Sequence, residues 1–177
     1  GLTDAVEIDA TAIVCARRSD GTVVCWGDNS FGQLGDGTMT SSATPVVVRG
    51  VANAAQIAVG GIFACARTTS GAVFCWGNNM NGELGDGTTT SRPTAAPVVG
   101  VTDAVEILAR SGHACARRGD GTVLCWGGNA NGRLGDGTTT NRPLPTPVVG
   151  INDAVEIAAA GQTCARRSGG RVWCWGN

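Results

Sequence analysis

A period of about 50 residues, short strand-like runs and turn signals within it, and a cysteine pair ten apart in every copy predict an all-β chain. The expected architecture is a β-propeller built of four-stranded blades, with about three and a half repeats in 177 residues.

Several landmarks keep the period. Cys-Trp-Gly begins at 25, 75, 125 and 174, so the spacings are 50, 50 and 49. Asp-Ala-Val-Glu-Ile at 4–8 returns as Asn-Ala-Ala-Gln-Ile at 53–57 and unchanged at 103–107 and 153–157. Gly-Gln-Leu-Gly-Asp-Gly-Thr at 32–38 returns at 82–88 and 132–138 with Glu83 and Arg133 in place of Gln33. A Pro-containing segment with Val-Val follows at 44–48, 96–100 and 146–150. The units are therefore 1–49, 50–99, 100–149 and a partial fourth, 150–177, in one propeller domain or part of one.

Each unit reads as strands. Val-Glu-Ile alternates apolar and polar residues, as a half-buried strand does. The Cys-Ala-Arg arm and the Thr-Val-Val-Cys arm hold residues suited to a pleated surface. No window sustains a 3.6-residue period, and the recurrent glycines interrupt helices. Between the two arms, Ser19-Asp20-Gly21 fits a three-residue hairpin loop whose last position is left-handed. Gly stands there in every copy, at 21, 71, 121 and 170.

That loop sets a register in which Arg17 faces Val23, Ala16 faces Val24 and Cys15 faces Cys25. The cysteines then fall on a non-hydrogen-bonded pair, where Cα atoms approach to about 4.5 Å and a disulfide fits. Four bridges follow: Cys15–Cys25, Cys65–Cys75, Cys115–Cys125 and Cys164–Cys174. All eight cysteines are used, which points to an oxidising compartment and a secreted or cell-surface protein. Zinc is the rival, but its sites favour cysteines two to four apart with further ligands nearby, and the chain holds one His. Trp26, Trp76, Trp126 and Trp175 follow the second cysteine and so project from the opposite strand face, as wedges between blades.

Thirteen arginines with no lysine balance fourteen acidic residues. A net charge of −1 argues against nucleic acid or an anionic membrane as partner. No stretch approaches the roughly 18 apolar residues of a membrane-spanning helix. Without an initiator Met or a signal-like start, the sequence reads as a mature or excised piece.

WGDNSFGQLG (26–35), WGNNMNGELG (76–85) and WGGNANGRLG (126–135) resemble the signature of the regulator of chromosome condensation repeats. The likeness runs through essentially the whole chain and implies a propeller of about seven blades. The family's His, two residues before the first cysteine, survives as His113 and is replaced by Ile13, Phe63 and Gln162. Paired cysteines are not a feature of the nuclear and cytoplasmic members, so the chain is identified as a disulfide-bearing, bacterial extracellular variant. The founding member's nucleotide exchange uses an insertion between blades that these short units lack. A secreted bacterial propeller that inhibits β-lactamase through loops on one face is a similar case.

The residues suggest no catalytic centre, no metal and no cofactor. His113 lacks a distinct nucleophile and orienting carboxylate and reads as structural. One Asp per Leu-Gly-Asp-Gly-Thr loop fits a turn better than a calcium site. Arg17, Arg67, Arg117 and Arg166 on the hairpin arms suit pairing with Glu7, Glu106 and Glu156, and Glu83 suits pairing with Arg133. Recognition is sought where copies differ, with Phe31, Met80, Arg92, Arg133 and Arg142 as candidates. The expectation is a non-enzymatic extracellular scaffold for protein binding or surface assembly. Its partner is then a protein or other cell-surface macromolecule, with self-association or ring completion by further blades. Alternatives are an enzyme or carbohydrate-binding module whose site lies in blades outside this segment, and a secreted protein inhibitor.

Overall fold

The computed structural model describes residues 1–176. The first sheet runs β1 (Ala5–Ala10), β2 (Ile13–Arg18), β3 (Val23–Gly27) and β4 (Ser42–Val47), each strand antiparallel to the next. The second repeats this order with β5 (Ala54–Val59), β6 (Phe63–Thr68), β7 (Val73–Gly77) and β8 (Arg92–Pro97). The third holds β9 (Ala104–Arg110), β10 (His113–Arg118), β11 (Val123–Gly127) and β12 (Arg142–Pro147). The fourth has three strands, β13 (Ala154–Ala159), β14 (Thr163–Arg167) and β15 (Val172–Trp175). A single 3-10 turn at Ala130–Gly132 is the exception to β structure among the described residues. These sheets are the blades of a propeller, about three and a half of them.

The central hairpin of each blade closes on the glycine. Arg18 N donates to Thr22 O at 2.8 Å, Gly21 N donates to Arg18 O at 3.0 Å, and Gly21 has φ +80°. Gly71, Gly121 and Gly170 have φ of +88°, +84° and +80°, a left-handed conformation that costs a residue with a Cβ. Three pairs out from the closing pair, Cys15 lies opposite Cys25, and the equivalent pairs do the same. All four disulfides are present, with Cα atoms 4.0–4.1 Å apart. A bulge on each first strand, between Ala5 and Glu7 in the first blade, turns Glu7 to face Arg17.

The core lies between blades. Each of three apolar clusters combines the cysteine face of one blade with the tryptophan face of the next. Ile13, Cys15, Cys25 and Leu34 pack with Ile57, Val59, Ala66 and Trp76. Cys65, Cys75 and Leu84 pack with Ile107, Ala116 and Trp126, and Cys115, Cys125 and Leu134 with Ile157, Ala165 and Trp175. Trp76, Trp126 and Trp175 also donate Nε1 to the carbonyls of Gln33, Glu83 and Arg133 at 2.9–3.0 Å. The approach is so close that a Cβ on Gly35 would sit 2.8 Å from the Trp76 ring. Trp26, on the first blade's outward face, is only partly buried, as is Trp175.

Replacing Cys65 and Cys75 together by Ala is expected to lower the unfolding free energy by about 2–3 kcal/mol from the lost loop constraint alone, with packing loss added at this buried site. The same double exchange at Cys164 and Cys174, where Cys174 is exposed, loses mainly the constraint. Urea unfolding of the two variants measures the difference.

Candidate functional site

The long loop between the third and fourth strands is organised by one buried asparagine per blade. Asn29 Nδ2 donates to the carbonyls of Thr38 and Thr40, both at 3.1 Å, while its Oδ1 accepts Leu34 N at 2.9 Å. Asn79 and Asn129 make the same bonds to Thr88, Thr90 and Leu84 and to Thr138, Thr140 and Leu134. These fully buried amides hold each loop against its blade. The following aspartate turns inward and accepts from its own loop: Asp36 from Thr38, Asp86 from Thr88, Asp136 from Thr138.

Two of the candidate arginines serve these loops. Arg92 Nε donates to Asp86 Oδ2 at 2.6 Å, and Arg142 Nε to Asp136 Oδ2 at 2.7 Å. Burial opposes ionisation of Asp136, yet hydrogen bonds from Arg142, Thr138 and Asn129 outweigh it and hold the carboxyl at about 2. In the first blade Ser42 stands where the arginine would be. Arg133 reaches the carbonyls of Ala130 at 3.0 Å and Ser111 at 2.7 Å. Glu83 accepts the backbone and side-chain amides of Asn81, both at 2.8 Å. The Glu83–Arg133 pair suggested by the sequence is therefore not formed, because each side chain is engaged by nearby loop groups.

Phe31 and Met80 differ from those arginines. Phe31 is half-buried, and Met80 is 68 % exposed. Asn78 joins Met80 to a neighbouring loop: its N donates to Ile62 O at 2.9 Å, and its Oδ1 accepts Met80 N at 3.2 Å. Ile62, on the first-to-second strand loop of the same blade, is also exposed. Both loops emerge at the same end of the sheet.

His113 is fully buried, and its Nε2 lies 2.8 Å from Thr163 Oγ1 in the next blade. The Thr163 hydroxyl donates to Arg133 O at 2.8 Å, so the imidazole supplies the proton to that hydroxyl. Val14, Ala64 and Ala114 hold the place of Thr163 in the other units. The two polar departures are thus partners across one junction. Burial, followed by the Arg133 charge, pushes the imidazole down to about 4, with the Arg110 carbonyl acting in the opposite direction.

A second polar system follows the first strands. Glu7 Oε1 accepts Ile57 N from the next blade at 3.2 Å, while Oε2 accepts Arg17 Nε at 2.8 Å. Glu106 repeats this with Ile157 N at 3.3 Å and Arg117 Nε at 2.7 Å. Gln56 uses both ends of its amide on the Ile107 backbone, accepting at 2.9 Å and donating at 3.0 Å. Asp9 takes Val59 N at 2.7 Å and a two-pronged contact from Arg110 in the third blade, each arm 2.9 Å. Among the described residues, no three His, Cys, Asp or Glu side chains lie together as a metal site. No helix among the described residues is long and apolar enough to cross a membrane.

The regulator of chromosome condensation (RCC1) repeat matches residues 20–67, 70–116 and 120–165, and a second form of it matches 54–83. Yeast RCC1 (Prp20), in a structure with bound Kap60, superimposes with a TM-score of 0.86 at 20 % identity, over 99 % of this chain and 44 % of that one. Human WBSCR16 gives 0.82 at 20 % identity, over 94 % and 45 %. The ectodomain of the Physcomitrella patens receptor kinase CR4 gives 0.60 at 23 % identity, over 97 % and 41 %. The chain thus spans a little under half the length of these structures. A search of curated protein sequences finds no match.

His113 sets a pH dependence. Its folded value of about 4 lies below the unfolded 6.5, so the unfolded state takes up the proton first as pH falls. Stability should be level above about pH 7 and decline between about 6.5 and 4, by on the order of 3 kcal/mol in total. His113→Phe, with Phe63 as its precedent in the second blade, is expected to remove that slope in urea midpoints measured across pH.

Proposed function

The chain belongs to the regulator of chromosome condensation (RCC1) repeat family, and we propose that it is a non-enzymatic extracellular scaffold that binds another protein through loops at one end of its blades. The observation that carries this reading is a division of labour within those loops. Asn29, Asn79 and Asn129 are buried in the fold, and Arg92 and Arg142 are paired with aspartates of their own loops. Met80, Ile62 and Met39 are left exposed at the surface. Exposed apolar side chains beside ordered polar loops suit a protein contact.

Two further considerations support it. Four disulfides in a chain of this size favour an oxidising setting outside the cytosol, and the CR4 fold relative is itself an ectodomain. Prp20 has been crystallised with Kap60 and characterised for binding to Gsp1p and histones. That precedent favours a protein as ligand.

The outer faces of the first and fourth blades enter the same reading. Ile8 (66 % exposed) and Trp26 occupy the face that Ile57 and Trp76 bury in the second blade. Val172 (61 % exposed) and Cys174 occupy the face that Val123 and Cys125 bury in the third. Further blades of the same kind suit both faces, and self-association is the other way to cover them.

Met80→Asp combined with Ile62→Asp tests the loop surface. The wild-type protein is expected to capture a defined partner from its native extracellular medium. The double variant should capture at least tenfold less with an unchanged unfolding midpoint. Equal capture by both proteins argues against this surface.

A further inference from the structure

Arg17, Arg67, Arg117 and Arg166 occupy one position in the four blades, beside the central hairpin. Three face a glutamate on the first strand of the same blade: Arg17 Nε to Glu7 at 2.8 Å, Arg117 Nε to Glu106 at 2.7 Å and Arg166 Nε to Glu156 at 2.8 Å. The second blade carries Gln56 there instead. Glutamine has nearly the same shape and keeps the backbone role, pairing with Ile107 through both ends of its amide. It does not replace the charge.

Arg67 consequently has weak internal partners. Its Nε lies 3.4 Å from Gln56 Oε1, and its Nη1 lies 3.4 Å from Thr68 O. It has no carboxylate partner among the described residues, whereas its three counterparts do. Burial holds the guanidinium below its ordinary pKa. Glu7 opposes that shift, Arg17 adds to it, and Glu106 opposes it from the other side. Both glutamates are already paired. The row therefore holds four guanidiniums and three carboxylates, leaving one positive charge, partly desolvated, between the second and third blades.

We propose that Arg67 is a carboxylate-binding site, and that its ligand is an acidic side chain of a protein partner. The partner supplies between molecules the carboxylate that the other three blades supply from within. One free charge flanked by Glu7 and Glu106 suits a single carboxylate and disfavours a polyanion. An arginine accepts a carboxylate through paired N–H groups, and partial desolvation strengthens the contact. The source of the carboxylate rests on the protein-binding reading above; the site itself does not.

Arginine side-chain NMR on the full chain tests both parts, with three probes: an end-capped Gly/Ser decapeptide carrying one glutamate, the same peptide with glutamine in its place, and acetate. At low salt, the glutamate peptide is expected to shift the Arg67 Nε–Hε signal and leave those of Arg17, Arg117 and Arg166 in place. The glutamine peptide should shift none. Gln56→Glu, which restores the pattern of the other blades, should weaken binding at least tenfold. Glu106→Gln should create a second response at Arg117. Both substitutions place a residue that the fold already carries at that position, so folding is preserved. No response at Arg67, or unchanged binding after Gln56→Glu, overturns the site. Acetate acting as strongly as the peptide at equal carboxylate concentration overturns the protein source while upholding the site.

Discussion

The contact on which the architecture depends is the meeting of a disulfide face with a tryptophan face between successive blades. A single four-stranded sheet of this composition has little to bury by itself, because its apolar side chains are divided between its two faces. Stacking solves this: Cys15 and Cys25 lie under Trp76, and the next two junctions repeat the arrangement. Burial of a large aromatic adds to the aliphatic area buried at each junction. The Trp Nε1 bond to a loop carbonyl adds direction, so the blade docks in one orientation. Glycines such as Gly35 give the indole room to approach. The staple within a blade and the wedge between blades are successive residues of one strand, and their opposite directions follow from its pleat.

Polar groups then fix the register that apolar packing leaves loose. At the first strands, Glu7 and Glu106 each hold an arginine of their own blade and a backbone amide of the next. Asp9 and Arg110 extend the tie from the first blade to the third. At the loop end, each buried asparagine accounts for groups that would otherwise be stranded away from water. Repetition of these devices leaves few polar side chains free. The functional interest therefore lies in the breaks: exposed apolar residues at Met80 and Ile62, an arginine without its glutamate, and the His113–Thr163 pair.

Much of the fold was legible because it rests on local chemistry. The glycine in each hairpin loop fixes the register of its arms, and the register brings Cys15 opposite Cys25. The pairing of Arg17 with Glu7 was also legible, since both recur at fixed places in a repeat. Other features were not. Thr163 carried no signal of its own, because its meaning comes from His113, fifty residues earlier and in another blade. Arg92 and Arg142 suggested recognition because they vary between copies, yet each folds back on an aspartate of its own loop. Glu83 and Arg133 have opposite charges in adjacent blades, but loop backbone groups lie closer to each than the other does.

The sequence by itself determined the period, the strand cadence, the cysteine pairing and the family, since all are set within a hairpin or by a motif recurring every fifty residues. Only the tertiary structure decided which face of a blade meets its neighbour and which polar residues remain available. Those outcomes depend on distances between side chains in different blades. Gln56 shows the difference most simply: one residue departs from its repeat by a single atom type, and its consequence, a guanidinium without a carboxylate, exists only where Arg67 stands beside it.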